Sequence, residues 1–245
     1  MTSILLSGAC GRMGREVARL AGEYGCRIVC GVDPSGQKYA DFPVVSSFEQ
    51  VGGDYDVLID FSLAKAFDKL LAHIQSAKKP AILCATGYTK EQESFIQKAA
   101  KNTPIFRSTN MSKGIYVLNQ LATLAKRLLP EADIEIVEAH HRMKADAPSG
   151  TAMTLLHTLS DSQTNNVLGR NPQSGKRAKG DIGVHAIRGG SVAGEHEVFF
   201  LCDDESITLR HSAQSRCVFA RGALSAADFM KSQTAGLYGM QHLFS

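Results

Sequence analysis

The fold is decided by residues 3–33, which read SILLSGACGRMGREVARLAGEYGCRIVCGVD. The apolar run at 3–7 predicts a strand, and the spacing of apolar residues predicts a helix over 12–24. The run at 26–32 predicts a second strand. A strand, a helix and a second strand form a right-handed βαβ unit, so the sheet is expected to be parallel.

A glycine-rich loop joins the first strand to the helix, with Gly8, Gly11 and Gly14 in the spacing GxxGxxG. Glycines there let the backbone approach a pyrophosphate, which the N–H groups and positive end of the following helix attract. Asp33 follows the second strand, where an acid accepts hydrogen bonds from a ribose. A tight turn without a ligand is the alternative. The predicted dinucleotide-binding residues are Gly8, Ala9, Cys10, Gly11, Arg12, Met13 and Asp33.

The choice of dinucleotide stays partly open. The carboxylate of Asp33 would repel a 2′-phosphate, and the next residue is the uncharged Pro34. This pattern favours NADH at least as much as NADPH. Arg12 or Lys38 could neutralise a 2′-phosphate, so NADPH remains an alternative.

Strands and helices continue to alternate through the first half of the chain. Thr89 and Gln92 fit a capping box that opens a helix. The further elements predicted here are strands at 57–61, 81–86 and 104–109 and helices at 66–78 and 89–101. This alternation is typical of a Rossmann-type domain.

The pattern changes after residue 110. A helix opening at Pro148, capped by Asp146 or Ala147, is predicted to run to 161, and a polar loop is predicted over 162–180. Three closely spaced strand-like runs suggest antiparallel pairing. The elements predicted in this half are helices at 115–129, 148–161 and 218–234 and strands at 133–141, 183–188, 195–202 and 206–211.

We therefore predict an α/β protein of two domains. A Rossmann-type dinucleotide-binding domain is expected from residues 1–110 plus 216–245, with the last helix packing back onto it. A second, α+β domain on an open mixed sheet is expected from 111–215. If each domain binds one of two ligands that react together, the domains would need to approach each other, so closure about their connections is expected when both ligands bind.

The densest polar chemistry lies in residues 138–152, EAHHRMKADAPSGTA. His140 and His141 end a predicted strand and Lys144 follows, a combination suited to proton transfer. Gly150 and Thr151 lie at the start of the next helix, where N–H groups and a hydroxyl can bind a carboxylate or phosphate. The segment predicts a site for a small acidic substrate.

Other interpretations of the histidines are weaker. A zinc site would need histidines four residues apart or cysteine partners, so no metal is expected. The remaining histidines are expected to be structural or on the surface, namely His73, His157, His185, His196, His211 and His242.

Both motifs resemble signatures of the dihydrodipicolinate reductase family, also called 4-hydroxy-tetrahydrodipicolinate reductases. GACGRMGR at 8–15 is similar to the family's nucleotide loop, and residues 138–152 are similar to its substrate segment. The resemblance runs over essentially the whole chain. The further similar segments are CATGYT at 84–89, STNMSKG at 108–114, RGGSVAGEHEVFF at 188–200 and HSAQSRCVFARGAL at 211–224.

The resemblance implies reduction of a cyclic imine dicarboxylate by NADH or NADPH in the diaminopimelate and lysine pathway. It implies that His140 and Lys144 are catalytic and that His141, Gly150 and Thr151 bind substrate. It also implies cofactor contacts from Cys84, Ala85, Thr86, Ser108, Thr109, Asn110 and Met111. Cys84 and Ala85 replace the family's usual Gly and Thr, and Met111 its commoner Phe. A homotetramer joined through the second domain's sheet is implied as well.

Two other functions stay open at this point. A different two-domain amino-acid-pathway dehydrogenase of the semialdehyde type would need a nucleophilic cysteine near 138–152, and no cysteine lies there. A non-catalytic dinucleotide sensor would not need the proton-donor cluster.

Composition excludes several classes. The net charge of +3, with scattered basic residues, does not indicate nucleic acid. No apolar run approaches the ~18 residues of a membrane span, and no basic segment precedes the first apolar run, as a secretory signal would require. The six cysteines form no CxxC pair, so a reducing cytoplasm is expected.

Overall fold

The structure is a computed structural model that describes residues 1–244; Ser245, the last residue of the predicted first domain, lies outside the described residues. The strands are β1 (Thr2–Ser7), β2 (Cys26–Val32), β3 (Val44–Val45), β4 (Val57–Asp60), β5 (Ala81–Leu83), β6 (Pro104–Arg107), β7 (Asp133–His140), β8 (Asn165–Leu168), β9 (Asp181–Arg188), β10 (Glu195–Leu201), β11 (Ser206–Ser212) and β12 (Gly236–Tyr238). The α-helices are α1 (Arg12–Leu20), α2 (Phe67–Ala77), α3 (Lys90–Ala99), α4 (Lys113–Leu128), α5 (Gly150–Leu159), α6 (Cys217–Met230) and α7 (Met240–Leu243).

The chain divides into two compact units. Unit 1 consists of Met1–Ser112 together with the chain from Arg216 onward, and unit 2 consists of Lys113–Ser215. Each is described by itself below.

Unit 1 contains a parallel sheet in the strand order β12-β6-β5-β4-β1-β2-β3. The chain reverses its direction of travel across the sheet between β1 and β4, and in such folds ligands bind at the carboxyl ends of the strands on either side of that point. Leu5 and Leu58 pack with α2 and α3 on one face, while α6 packs on α1, β4 and β5. Because helices cover both faces, all four residues of β4 are buried.

The prediction of a Rossmann-type first domain is confirmed, and so is the capping box. The side chain of Thr89 accepts from the backbone of Gln92, whose side chain accepts in turn from the backbone of Thr89. Two short strands, β3 and β12, were not predicted, because two or three residues carry no periodicity.

Unit 2 contains a mixed sheet in the order β11-β10-β7-β9-β8. The strand β7 runs antiparallel to β10 and parallel to β9. Alternate residues such as Ile134, Ile136, Val184 and Val198 face the buried core with α4 and α5. On the opposite face, Ile187 is 56% exposed.

Three expectations for this unit were wrong in detail. The strands β9 and β10 follow each other in the chain but do not pair, because β7 lies between them. The expected polar loop at 162–180 contains the edge strand β8, whose largely exposed residues gave no apolar signal. The helix α5 begins at Gly150 rather than Pro148, because the hydroxyl of Ser149 accepts from the N–H of Ala152 and caps it.

Two features are absent from the described residues, 1–244. None of their helices is long and apolar enough to cross a membrane. No group of three or more histidine, cysteine, aspartate or glutamate side chains among them is placed to hold a metal ion.

Candidate active site

The glycine loop of unit 1 leads directly into α1. Gly11 is the N-cap of this helix and provides no side-chain hydrogen bond to its first N–H groups. Arg12 and Gly11 are exposed at this end. The start of α1 therefore offers backbone donors and the positive end of a helix dipole, which fit the phosphates of a dinucleotide.

Close packing explains two of the three glycines. Gly8 has a φ of 73°, and a Cβ there would lie 2.7 Å from the carbonyl carbon of Phe61. A Cβ on Gly14 would lie 2.3 Å from the carbonyl oxygen of Gly8. The turn can therefore pass this close to β4 and α1 only because both residues lack side chains.

Asp33 lies beside the loop, as predicted, and its carboxylate is hydrogen-bonded to the loop backbone. One carboxylate oxygen accepts from the backbone N–H of Cys10 at 3.1 Å. The other accepts from the N–H of Ser35 at 3.1 Å and its hydroxyl at 2.8 Å. A carboxylate has about four acceptor positions, so Asp33 has capacity left for one ribose hydroxyl.

The predicted cofactor loop 84–86 is fixed by a residue that the sequence analysis did not single out. Arg107 donates to the carbonyl oxygens of Leu83 at 3.1 Å and Ala85 at 2.8 Å, and it pairs with Glu93 at 2.6 Å. Its guanidinium carbon lies 4.7 Å from the centre of the Tyr88 ring. The loop is therefore held through its backbone.

The side chain of Cys84 packs inside this loop. Burial raises the pKa of its thiol well above the ordinary value. A neutral, buried thiol is a packing group rather than a nucleophile. This agrees with the prediction, in which no cysteine is a catalytic residue.

The segment 108–111 forms a compact turn after β6. The hydroxyl of Ser108 donates to the carbonyl oxygen of Asn110 at 2.7 Å. The carboxamide oxygen of Asn110 accepts from the N–H of Ser112 at 2.9 Å. Met111 is buried while Thr109 is exposed, so only part of this predicted cofactor segment is accessible in unit 1.

Arg216 adds a positive charge to the nucleotide end of unit 1. It is the N-cap of α6, and burial together with the neighbouring charge of Arg12 lowers its pKa. Two guanidinium groups that repel each other favour an anion between them. Arg216 was not predicted, because it lies far from the glycine loop in the chain.

The predicted substrate cluster lies at the carboxyl end of β7 in unit 2. His140 is the last residue of that strand, and its Nδ1 lies 2.6 Å from an oxygen of Glu138. Arg188, opposite His140 on β9, donates to both oxygens of Glu138, at 2.8 and 2.7 Å. The side-chain partner of Nδ1 of His140 is therefore a buried carboxylate.

His196 was expected to be structural or on the surface; it is buried, and it lies beside the predicted site. Its ring lies edge-on to His140, with 5.3 Å between the ring centres, and its Nε2 lies 3.0 Å from the hydroxyl of Ser149. Burial, followed by the charge of His140, lowers the pKa of His196 to about 3, so its ring is neutral at physiological pH. The pairing of β7 with β10 brings it there, which spacing in the sequence could not indicate.

Lys144 and His141 lie in the turn that follows β7. The ammonium of Lys144 lies 2.9 Å from a carboxylate oxygen of Asp146. His141 lies outside the strand, and its backbone N–H donates to the carbonyl oxygen of Val192 at 2.9 Å. The turn thus presents a lysine paired with a carboxylate of the same turn.

The start of α5 lies in the same segment. Gly150 and Thr151 are its first two residues, and a Cβ on Gly150 would meet nothing within 4 Å. Space therefore exists beside the N–H groups of this helix start, which can receive a carboxylate. The proton-donor residues and this anion-binding end both belong to unit 2.

Two models of one protein family, for its N-terminal and C-terminal parts, match the chain. The model described as dihydrodipicolinate reductase, N-terminus, covers residues 2–111, and that described as dihydrodipicolinate reductase, C-terminus, covers residues 114–244. A 4-hydroxy-tetrahydrodipicolinate reductase of Clostridium tetani is 43% identical over 98% of this chain and 96% of its own length. Another, of Clostridium perfringens strain SM101, is 44% identical over 98% and 97%.

Solved structures agree on the fold. A dipicolinate-bound dihydrodipicolinate reductase from Paenisporosarcina sp. TG-14 is similar, with a TM-score of 0.79 and 22% identity over 99% of both chains. The two family models and the curated relatives show that the chain belongs to the dihydrodipicolinate reductase family and is an oxidoreductase.

Proposed function

We propose that the chain uses NADH or NADPH to reduce 4-hydroxy-tetrahydrodipicolinate to tetrahydrodipicolinate, in the diaminopimelate and lysine pathway. The observation that carries this proposal is the cluster in unit 2, where His140 and Lys144 lie in one segment with the open start of α5. A dicarboxylate needs cations and helix N–H groups, and its reduction needs a proton donor. The names of the relatives support the same substrate.

In this proposal, unit 1 binds the dinucleotide. The start of α1 and the guanidinium groups of Arg12 and Arg216 take its phosphates, and Asp33 accepts from the adenosine ribose. The backbone held by Arg107 meets the nicotinamide side. The residues proposed for these contacts are Gly8, Ala9, Cys10, Gly11, Arg12, Met13, Asp33, Cys84, Ala85, Thr86, Ser108, Thr109, Asn110 and Met111.

Unit 2 binds the substrate in this proposal. His141, Gly150 and Thr151 hold its carboxylates, aided by the dipole of α5. Asp146 neutralises Lys144 in the ligand-free protein, and a substrate carboxylate offers the same ammonium a second acceptor. The cluster therefore exchanges one negative partner for another when substrate binds.

Proton delivery falls to Lys144 and His140. The 4-hydroxyl group of the substrate leaves as water together with a hydrogen of the adjacent carbon, which gives a ring double bond. The reduced nicotinamide, when bound, would supply a hydride to that double bond, and the adjacent carbon then needs a proton. The ammonium of Lys144 carries such a proton. His140, whose Nδ1 lies 2.6 Å from Glu138, holds or returns one beside it.

We propose further that NADH is used at least as well as NADPH. The carboxylate of Asp33 would repel a 2′-phosphate, and Pro34 adds no cation. A strong preference for NADPH in steady-state kinetics would contradict this and would implicate Arg12 or Lys38, both exposed.

A homotetramer joined through the sheet of unit 2 is also proposed. Ile187 and Leu201, on the face opposite α4 and α5, are 56% and 39% exposed. A sheet face with such residues gains by association. Light scattering should give the mass of four chains, and a monomer would contradict the proposal.

A reducing cytoplasm fits the described chain, whose cysteines form no disulfide.

The decisive test is an assay of nicotinamide oxidation, followed by absorbance, with freshly made substrate and with substrate omitted. Oxidation that depends on the substrate is expected. Binding of NADH without turnover of this substrate would favour the sensor, and turnover of an amino acid or semialdehyde instead would favour another dehydrogenase.

A further inference from the structure

We propose that Glu138 is a positioning residue that keeps a proton on Nδ1 of His140 and so leaves Nε2 as the nitrogen that exchanges protons at the site. This inference rests on the proposed function, in which His140 takes part in proton transfer. It goes beyond that function because it assigns the role to a residue that cannot itself touch the substrate.

The hydrogen bonds of Glu138 account for its whole accepting capacity. One oxygen lies 2.6 Å from Nδ1 of His140 and accepts from Arg188 at 2.8 Å. The other accepts from Arg188 at 2.7 Å and from the N–H of Ser149 at 2.9 Å. Since a carboxylate offers about four acceptor positions, Glu138 has no capacity left for a ligand.

The charge state of Glu138 determines the proton on His140. The carboxylate is fully buried. Burial would raise its pKa, but the hydrogen bonds from His140, Arg188 and Ser149 outweigh burial and lower the pKa to about 2. An ionised carboxylate can only accept, so Nδ1 must carry the hydrogen. In the neutral ring, Nε2 is then the unprotonated nitrogen.

The side chain of His140 is 11% exposed. Gly194 packs beside Nε2, where a Cβ would lie only 3.1 Å from that nitrogen. The neutral ring of His196 packs edge-on to His140 from β10, and Arg188 and Glu138 face it from β9 and β7. The turn that follows β7 adds the charged residues Arg142, Lys144 and Asp146.

The same carboxylate connects the parts of the proposed substrate site. Arg188, bound to Glu138, also donates to the carbonyl oxygen of Asp146 at 2.6 Å. Glu138 itself holds the N–H of Ser149, the N-cap of α5. It therefore links the histidine, the turn that carries Lys144 and the anion-binding helix start.

Nitrogen-15 NMR of histidine-labelled protein tests the proposal without any mutation. The resonances of His140 are assigned by their loss in His140→Gln. We expect the neutral ring of the wild-type protein to carry its hydrogen on Nδ1. A neutral ring with its hydrogen on Nε2 would overturn the proposal, whether or not any variant folds.

Glu138→Gln is the matched change, because it keeps the shape and removes the charge. A carboxamide can donate as well as accept, so the neutral ring is expected to populate the Nε2–H form. We expect kcat to fall by about 10- to 100-fold, the usual size for a partner that orients a functional histidine. Binding of NADH, measured by fluorescence, should not change, because its proposed site is in unit 1.

Glu135→Gln is the control. Glu135 lies on the same strand with its oxygen 2.8 Å from Nε2 of His185, on the opposite face of the sheet. This variant removes an equal charge from a similar pair and should leave both kcat and the ring of His140 unchanged. Equal losses in both variants would mean that Glu138 acts only on stability.

The outcomes separate this inference from the proposed function. If His140→Gln and Lys144→Ala lose turnover but Glu138→Gln changes neither turnover nor the proton position, only the positioning role fails. If His140→Gln and Lys144→Ala keep full turnover, the assignment of the active site fails, and this inference fails with it.

Discussion

The two candidate binding regions are built in opposite ways. In unit 1, a ligand would meet mainly backbone N–H groups at the start of α1, which packing at Gly8 and Gly14 brings into place. In unit 2, it would meet charged side chains such as Lys144, arranged around the buried Glu138. The first region should therefore be sensitive to any added side-chain atom, and the second to any lost charge.

A buried carboxyl group in each unit shows the same contrast. Asp60, at the end of β4, is fully buried, and burial raises its pKa above the ordinary value. Glu138 is equally buried, yet its hydrogen-bond donors lower its pKa to about 2. Unit 2 thus keeps a buried negative charge by pairing it with Arg188, whereas the nucleotide end of unit 1 disfavours one.

The largest effect is expected from Lys144→Ala. It should lower kcat by about 100-fold or more, the usual contribution of a general acid. Binding of NADH should stay near the wild-type value, because the proposed nucleotide site lies in unit 1. Lys176→Ala, which removes an exposed lysine of unit 2, is the control. Normal turnover by Lys144→Ala would show that Lys144 is not the general acid, so the charged side chains of unit 2 would not act as described.

Low pH should remove the stability that the buried carboxylate of Glu138 contributes. The pKa of Glu138 is depressed from 4.5 to about 2, so its stabilising contribution is complete above pH 4.5 and is lost as the pH falls toward 2. The stability advantage of wild type over Glu138→Gln should shrink by on the order of 3 kcal/mol across that range. Urea unfolding at several pH values measures it.

Asp60→Asn should show the opposite sign. Because the pKa of Asp60 is raised above 3.8, its ionisation costs stability as the pH increases, and the variant should gain on wild type in that direction. Parallel stability curves for all three proteins would mean that the two buried carboxyls do not differ as described.

Gly14→Ala should destabilise unit 1 by ~1–3 kcal/mol, the usual cost of overpacking. Its Cβ would lie 2.3 Å from a backbone oxygen, which cannot move as a flexible side chain would. Gly22→Ala is the matched control, because a Cβ there meets nothing within 4 Å. Thermal unfolding and NADH titration compare the two. Equal stability would show that the glycine loop is not close-packed.

Thr151→Val should raise the substrate KM by roughly 10-fold while kcat changes little. The hydroxyl would hold a carboxylate in the ground and transition states alike. Thr154→Val, one turn later on α5, removes a hydroxyl that donates to the carbonyl oxygen of Gly150 and serves as the control. A fall in kcat without a change in KM would move Thr151 from binding to catalysis.

The smallest effect is expected from Asp33→Ala. It should weaken NADH binding about threefold to 10-fold more than NADPH binding, because only NADH would use the ribose hydrogen bonds of this carboxylate. Asp41→Ala, an exposed carboxylate of the following loop, controls for net charge. A uniform loss for both cofactors would mean that Asp33 only supports Cys10 and Ser35.

Local patterns predicted most of the secondary structure. Apolar period and capping residues depend only on near neighbours, so β2 and the capping box of α3 were predicted to the residue. The predicted start of α5, Pro148, was two residues too early. Asp146 and Ala147 were the predicted caps, but Ser149 provides the capping hydroxyl. The edge strand β8 was missed because an exposed strand needs no apolar residues.

The residues proposed for chemistry divide in the same way. His140, Lys144 and Gly150 lie within one short segment, so their proximity could be predicted from spacing and from the family resemblance. Arg188 and His196 reach that segment only because β9 and β10 flank β7 in the sheet.

The sequence by itself determined the alternation of strands and helices, the glycine loop and the histidine–lysine segment, because each depends on residues close together in the chain. Only the tertiary structure decided that Glu138 is buried between His140 and Arg188, and that Arg107 holds the loop at Ala85. Strand order and register set these contacts, and both follow from the free energy of packing the whole sheet. No short stretch of sequence contains that information.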